Sequence, residues 1–214
     1  IIVSFLSYIL CEWEMINNPD NQSINKLISD GYNLYAGTTF AQVFISHNEG
    51  DTWSILAEGL NTFPYGTDML HKKEDYIYFS QNIGSDEYNY RSYNNGIFWE
   101  QWELLPYQSS ALTEMVSNQN YLYTIIDGSI SSSLDYGFTW NPLNNPPIDG
   151  YIKLLYVSNQ YLYVSHGCEV FRTADHGQTW ENITSILNQI GPPDPYNCST
   201  VLEMSYFDEY LMIS

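Results

Sequence analysis

Carboxylates are the side chains of this sequence with the most chemistry to offer. The 214 residues include 25 Asp and Glu against six Lys and Arg. Two carboxyl groups on either side of a glycosidic bond can hydrolyse it, one as acid and the other as base or nucleophile. The candidates are Asp68 and Glu114, which fall on equivalent predicted strands, with Glu203, Asp30, Asp127 and Asp149 as further acidic positions. Because acidic residues are so numerous, a catalytic pair can always be proposed. The preferred interpretation is that these carboxylates are solvated and line a polar channel.

Other chemistries have weaker support in the sequence. The four histidines, His47, His71, His166 and His176, are scattered without metal-ligand spacing, and no Asp-rich loop of the density that Ca²⁺ requires is present. Contexts for a Ser-His-Asp or Cys-His nucleophile and Gly-rich phosphate loops are absent. We therefore expect no metal and no cofactor.

An eight-residue pattern recurs four times, and the strands that it defines must position the candidate carboxylates. Each copy, called an octet here, has a hydroxyl residue first, Asp or Asn third, Gly fifth and Trp eighth. The copies begin 46, 41 and 40 residues apart, a period typical of propellers, solenoids and arrays. The octet residues are Ser46, Asn48, Gly50 and Trp53; Ser92, Asn94, Gly96 and Trp99; Ser133, Asp135, Gly137 and Trp140; and Thr173, Asp175, Gly177 and Trp180.

Each octet is predicted to be a tight turn between two strands. Its Asp or Asn can fold back onto backbone N–H groups two residues on, and its Gly supplies a positive φ. The first and seventh hydroxyls can bond the same carboxylate. The Trp is expected to begin the next strand, and its truncation to Ala would cost about 3–5 kcal/mol if the ring is buried. A residue repeated in every unit is structural rather than catalytic.

The segments between octets have the pattern of short strands and none of a helix. Tyr-rich second strands recur around Tyr35, Tyr78, Tyr123 and Tyr163, and a longer hairpin is predicted over residues 80–87. The sequence predicts an all-β propeller of four-stranded antiparallel blades. About four full blades plus part of a fifth form one domain over residues 12–214, with repeats at roughly 23–60, 65–106, 109–147, 150–187 and a partial unit at 198–214.

The octets resemble the Asp-box, or BNR, repeat of sialidases, xyloglucan-cleaving glycosidases, sortilin-type receptors and related β-propellers. The best match is the run from Val170 through Trp180, while Asn48, Asn94 and Phe98 depart from the pattern. The resemblance implies a box on the outer rim, away from any active site. A sialidase would also need three arginines that clamp a carboxylate, but this chain has two, Arg91 and Arg172, both just before an octet.

The ends of the sequence leave several alternatives open. Residues 1–11 are either the remnant of a signal peptide or a strand, and the residues around Trp13 look like the last strand of another blade. The chain is either a fragment of a larger propeller or a ring that residues 1–16 close. Cys168 and Cys198 either form a disulfide or stay as buried thiols. A Pro-rich insertion at 188–198 is either a binding loop or a surface loop without a task.

Charge narrows the class of partner. The formal net charge is −19, and the six basic residues form no stripe, so nucleic acid is excluded. No apolar run is long enough to span a bilayer. We expect a secreted or cell-surface monomer that acts as a non-catalytic recognition or scaffold module for a glycan or a protein. The alternative is a glycoside hydrolase, sialidase-like or of the two-carboxylate kind, whose catalytic set lies partly outside this chain.

Overall fold

The computed structural model describes residues 17–40, 42–56, 66–83, 86–102, 112, 114–148, 150, 152, 154–158, 160–167, 169–184, 204–207 and 210–213. The chain is all-β, as expected, with four antiparallel four-stranded blades and a further two-stranded sheet. Residues 1–16, the three cysteines, Asp149, Glu203 and the 188–198 insertion lie outside the described residues, so the predictions about them stay predictions. Among the described residues no helix is long and apolar enough to cross a membrane.

The strands follow chain order within each sheet. Blade 1 contains β1 (Ile24–Ser29), β2 (Leu34–Thr38), β3 (Val43–Ser46) and β4 (Ser54–Ile55). Blade 2 contains β5 (Met69–Lys73), β6 (Tyr76–Ile83), β7 (Asp86–Ser92) and β8 (Trp99–Gln101). Blade 3 contains β9 (Met115–Ser117), β10 (Leu122–Ile126), β11 (Ser129–Ser133) and β12 (Asn141–Pro142). Blade 4 contains β13 (Leu154–Val157), β14 (Leu162–His166), β15 (Glu169–Thr173) and β16 (Glu181–Asn182), and the two-stranded sheet contains β17 (Met204–Phe207) and β18 (Tyr210–Ile213).

The first strands of successive sheets contact one another, which gives the propeller arrangement. Contacts join β1 to β5, β5 to β9, β9 to β13 and β13 to β17. Because all strands are antiparallel, the turns after the first and third strands of each blade emerge at the same face. The octets follow the third strands, so this face is called the octet face here. The entries into the first strands, where Asp68 and Glu114 lie, are at the opposite face.

The apolar cores lie at the seams between neighbouring blades. Successive residues of a strand point to opposite faces of its sheet. Thus Ile77 and Phe79 of β6 pack into the seam with blade 1, while Tyr78 packs into the seam with blade 3. In the same way, Leu122 of β10 packs into the seam with blade 2, and Tyr123 packs into the seam with blade 4. Both faces of each blade are therefore covered, which explains why the second strands are buried along nearly their whole length.

The longer hairpin expected over residues 80–87 is confirmed. β6 and β7 continue as a paired ladder through Asn82 with Glu87 and Ile83 with Asp86. The longer segment between the second and third strands of blade 2 is therefore an extension of this pair of strands.

Candidate functional site on the octet face

The fourth octet is a turn closed by one carboxylate. The Thr173 hydroxyl donates to Asp175 Oδ1 at 2.7 Å, and the Thr179 hydroxyl donates to Oδ2 at 2.6 Å. The Thr179 backbone N–H also donates to Asp175 Oδ1 at 2.9 Å. The carboxylate thus reaches the N–H four residues on, which corrects the expected reach of two, because the Asp must span the whole turn to hold both ends.

The other three octets repeat this geometry with their own residues. Asp135 accepts from the Thr139 N–H at 2.8 Å, Asn48 from the Thr52 N–H at 3.0 Å and Asn94 from the Phe98 N–H at 2.8 Å. The bonds from the Thr179 hydroxyl and N–H lower the pKa of Asp175 to about 2. Burial alone would raise the pKa of Asp135, but its bonds from Thr139 and Ser133 outweigh burial and hold it below the ordinary value.

In every octet, the residue at position four adopts a left-handed backbone conformation that the sequence did not reveal. Glu49, Asn95, Tyr136 and His176 have φ between 55° and 57°, and the glycine after each of them also has positive φ. Each octet therefore places two left-handed residues in succession. Four different residue types occupy this position, so no composition signal could have indicated it. The side chains of Tyr136 and His176 at this position pack on a tyrosine of the preceding blade.

The octet tryptophans face the seams between blades and are half-buried rather than buried. The Trp53 indole N–H donates to the Asn17 carbonyl at 2.7 Å, and that of Trp180 donates to the Asn144 carbonyl at 2.8 Å. Only Trp99 begins its strand, since the other fourth strands start one residue later. With the rings half-exposed, the expected cost of Trp to Ala falls to about 1.5–3 kcal/mol.

The two candidate catalytic carboxylates enter their strands in different register. His71 pairs with Tyr78 and Val116 pairs with Tyr123, so these two residues are equivalent. Asp68 lies three residues before His71, whereas Glu114 lies two residues before Val116. Asp68 and Glu114 are therefore not at equivalent positions, although each lies one residue before the first strand of its blade. Both side chains are half-buried, and their catalytic role stays a prediction.

Each arginine is paired with a glutamate of its own blade, and Arg91 also contacts the third octet in blade 3. Arg91 is buried, its Nη2 lies 2.5 Å from Glu100 Oε1, and its guanidinium lies 3.9 Å from the centre of the Phe138 ring. Arg172 Nε lies 2.7 Å from Glu181 Oε2, with its guanidinium over the Tyr161 ring. Each arginine thus joins its third strand to the Glu that pairs with it on the fourth strand.

Two adjacent octet turns carry a set of exposed apolar side chains. This rim patch consists of Tyr93, Ile97, Phe98, Leu134 and Phe138, each between 47% and 85% exposed. The first and fourth octets carry small or polar residues at the same positions: His47, Asp51, Thr52, Ala174, Gln178 and Thr179. A comparison of octet positions two, six and seven in the sequence would have revealed this difference between the octets. The residues that all octets share do not reveal it.

Acidic residues lie next to the rim patch on the same face. Tyr136 of the third octet donates its hydroxyl to Glu74 Oε2 at 2.7 Å. Asn95 of the second octet donates to Asp75 Oδ1 at 3.0 Å. The hairpin between β5 and β6 therefore presents two carboxylates beside the apolar side chains. Within the described ranges, no group of three His, Cys, Asp or Glu side chains is placed to hold a metal ion.

Comparison with solved structures finds β-propellers. YCF48 bound to the D1 peptide superposes with a TM-score of 0.57 at 15% identity, covering 76% of this chain and 54% of that one. YCF48 from Cyanidioschyzon merolae gives 0.60 at 14%, covering 79% and 58%. An ancestral GH74 enzyme gives 0.60 at 16%, covering 81% and 27%. The chain spans less than two thirds of each of these structures. No protein-family model and no curated protein matches it.

Proposed function

We propose that this chain is an exported, non-catalytic recognition propeller whose octets are Asp-boxes and whose rim patch binds a protein segment. The observation that carries the proposal is the rim patch itself, because two of four equivalent turns expose large apolar side chains and the other two do not. The Asp-box assignment is supported by the shared hydrogen bonds at Asp135 and Asp175. Export rests on the sequence alone, on the apolar residues 1–10.

Burial of the exposed apolar side chains of the rim patch would favour the binding of a partner. Clustered apolar side chains on a soluble protein, surrounded by polar groups, are typical of interaction sites. The turns that carry the patch are held rigid by their own hydrogen bonds and by the Arg91 guanidinium, which packs on Phe138. Binding to a preorganised surface avoids the entropic cost of ordering it. Aromatic side chains such as Tyr93 and Phe138 are suited to serve as anchors.

The negative charge around the rim patch indicates which kind of protein segment would bind there. Glu74 and Asp75 flank the patch, and the whole chain has a formal net charge of −19. A second copy of this chain would be repelled, whereas a segment with apolar residues flanked by Lys or Arg would be attracted and steered to the patch. One propeller with a similar fold was solved with a peptide bound, which supports peptide recognition as a use of this architecture.

Selection from a random peptide display library, with the full chain as bait, tests this proposal. We expect enrichment of peptides that combine aromatic or aliphatic residues with Lys or Arg. The double variant Leu134→Ser with Phe138→Ser should weaken the binding of the selected peptides at least tenfold. The matched control is Ala174→Ser with Gln178→Ser at the same octet positions of the fourth turn, which should change affinity less than twofold. Undiminished binding by the patch variant would contradict the proposal.

The alternative is hydrolysis of a glycan by Asp68 and Glu114 at the opposite face. It is favoured by the half-buried position of both carboxylates and by the likeness of the fold to a GH74 enzyme. A panel of aryl glycosides and xyloglucan with the full chain distinguishes the two functions. We expect no turnover above a no-enzyme control. If hydrolysis occurs and is abolished by Asp68→Asn or Glu114→Gln, the non-catalytic proposal is wrong.

A further inference from the structure

A second surface on the octet face lies at the seam between blades 3 and 4. A cleft of about 160 Å³ opens there. Its walls come from the β9–β10 hairpin, the β13–β14 hairpin and the fourth octet turn. Its lining includes Asn118, Asn120, Tyr121, Gln160, Tyr161 and His176, and this space is called the seam cleft here.

The seam cleft exists because one octet position carries a smaller side chain. In the seam between blades 2 and 3, Tyr136 stacks on Tyr76 with ring centres 4.4 Å apart and its hydroxyl reaches Glu74. In the seam between blades 3 and 4 the equivalent residue is His176, which packs on Tyr121 at 4.3 Å. The shorter imidazole turns inward, with Nδ1 2.8 Å from Tyr123 Oη. His176 therefore packs on the β9–β10 hairpin at Tyr121, but among the described residues it has no bond to the hairpin tip like the one from Tyr136 to Glu74, and the cleft opens there.

The walls of the seam cleft combine amide, aromatic and aliphatic side chains. Among the residues that the structure describes, no Asp, Glu, Lys or Arg lines it. Its amides, at Asn118, Asn120 and Gln160, both donate and accept hydrogen bonds, as the hydroxyl groups of a sugar do. Burial, followed by the neighbouring Tyr121, raises the pKa of Tyr123 to about 12, so this phenol stays protonated. Tyrosine rings supply planar apolar surface beside these polar groups, an arrangement suited to the C–H face and hydroxyl edge of a pyranose.

Charges close to the seam cleft disfavour ionised ligands. Arg172 lies over Tyr161 but is paired with Glu181. Lys73 donates to the backbone carbonyls of Asn118 and Gln119 and is satisfied there. Asp175, next to His176 in the sequence, adds a negative charge to the fourth octet turn, and its bonds from Thr179 and Thr173 lower its pKa to about 2. The net negative charge of the chain disfavours an acidic sugar, and both of these cations already have hydrogen-bond partners.

From the aromatic rings and amide groups of its walls, we propose that the seam cleft binds a neutral pyranose unit of a glycan. This site is independent of the rim patch and of its peptide partner, since the two surfaces share no residue. A ligand the size of one sugar in an open cleft is expected to bind with a Kd on the order of 1 mM.

The test is an NMR titration of the isotopically labelled full chain. The probes are neutral trisaccharides of glucose, mannose, xylose and N-acetylglucosamine, with sialyllactose and a tripeptide as comparisons. We expect saturable shifts at residues 118–123 and 174–176 with at least one neutral trisaccharide, and at least tenfold weaker binding of sialyllactose and the tripeptide.

Two variants decide whether binding is in the seam cleft. Ala174→Leu places in the cleft wall a side chain that the third octet accommodates at the same position as Leu134, and it should weaken binding at least tenfold. Gln178→Phe adds bulk to the same turn outside the cleft, as Phe138 does in the third octet, and should change affinity less than twofold. Absence of saturable binding by every neutral sugar, tighter binding of sialyllactose, or undiminished binding by Ala174→Leu overturns the proposal.

Discussion

Asp135 and His71 show how single residues set the stability of the blades. Asp135 joins the two ends of the third octet by accepting from the Thr139 N–H and hydroxyl and from the Ser133 hydroxyl. His71 joins two blades, since its Nε2 lies 2.9 Å from Ser117 Oγ of the next first strand. Both roles depend on the protonation state of the side chain, so both are open to titration.

Removal of the octet carboxylate should weaken the third turn. Asp135→Ala loses three hydrogen bonds and is expected to lower the free energy of unfolding by about 1–2 kcal/mol. Asp135→Asn keeps an acceptor, as Asn48 and Asn94 do in their turns, and should lose less than half of that. Urea unfolding of the two variants measures this, and equal losses would refute the hydrogen-bond account.

Acid should destabilise the protein through His71. Burial, and then the nearby Lys73, lowers the pKa of His71 to about 4 in the folded state, from an ordinary value of 6.5. The unfolded chain therefore takes up a proton first as pH falls. The stability that depends on neutral His71 is complete above about pH 6.5 and is lost as pH falls toward 4, by about 1–2 kcal/mol given its partial exposure.

The measurement is urea unfolding at several pH values between 7.5 and 4.5. The groups around His71 are Lys73, the Tyr78 ring and the Ser117 hydroxyl. Asp135 and Asp175 have lowered pKa values, so they act below this window. His71→Gln should flatten the dependence of stability on pH, and an unchanged slope in this variant would show that another group is responsible.

At the scale of elements, each blade is joined to the next by a residue three positions after the octet tryptophan. Leu56, Trp102 and Leu143 occupy this position, and each packs against the octet glycine of the following blade. A Cβ on Gly137 would lie 2.5 Å from Trp102 Cζ2. The octet glycine is therefore needed for close approach between blades as well as for its φ of +82°.

Gly137→Ala and Gly31→Ala separate these two requirements. Gly31 has a similar φ of +89°, but among the described residues no neighbouring atom lies within 4 Å of the point that a Cβ would occupy. Gly31→Ala should cost about 1–2 kcal/mol, the strain of a left-handed residue. Gly137→Ala adds an overpacking cost of about 1–3 kcal/mol. Thermal and urea unfolding give the comparison, and equal losses would exclude the seam contact as a source of stability.

The indole hydrogen bonds offer a second test of the seams. The Trp180 N–H donates to the preceding blade, whereas the buried N–H of Trp140 finds no hydrogen-bond partner in the part of the chain that the structure describes. Replacement by Phe shrinks both rings equally, but it breaks a bond only at Trp180 and removes an unsatisfied donor at Trp140. Trp180→Phe should therefore be less stable than Trp140→Phe by about 1–3 kcal/mol. The reverse order in urea unfolding would contradict this assignment.

The strands and blades could be predicted from the sequence because their signals are local and repeated. Alternating apolar residues and four octets were enough to indicate antiparallel four-stranded blades. The half-burial of the tryptophans could not be predicted, because it depends on how two blades meet. The left-handed fourth position was equally hidden, since Glu49, Asn95, Tyr136 and His176 share no property.

At the scale of the whole molecule, function depends on differences between repeats rather than on what they share. The rim patch and the seam cleft both arise where octet positions vary, whereas the shared residues hold the fold. Sequence reasoning that searches for repeated residues finds the scaffold and overlooks such positions. The Asp68 and Glu114 prediction shows the complementary difficulty, since equivalent strands were recognised but their register, offset by one residue, required coordinates.

Hydrogen–deuterium exchange of the full chain, with and without a library-selected peptide, tests most directly that recognition uses the octet face. The account predicts slower exchange in the second and third octets, residues 92–99 and 133–140, with no change at residues 66–69 and 112–115 on the opposite face. Slower exchange confined to residues 66–69 and 112–115, around Asp68 and Glu114, would contradict it.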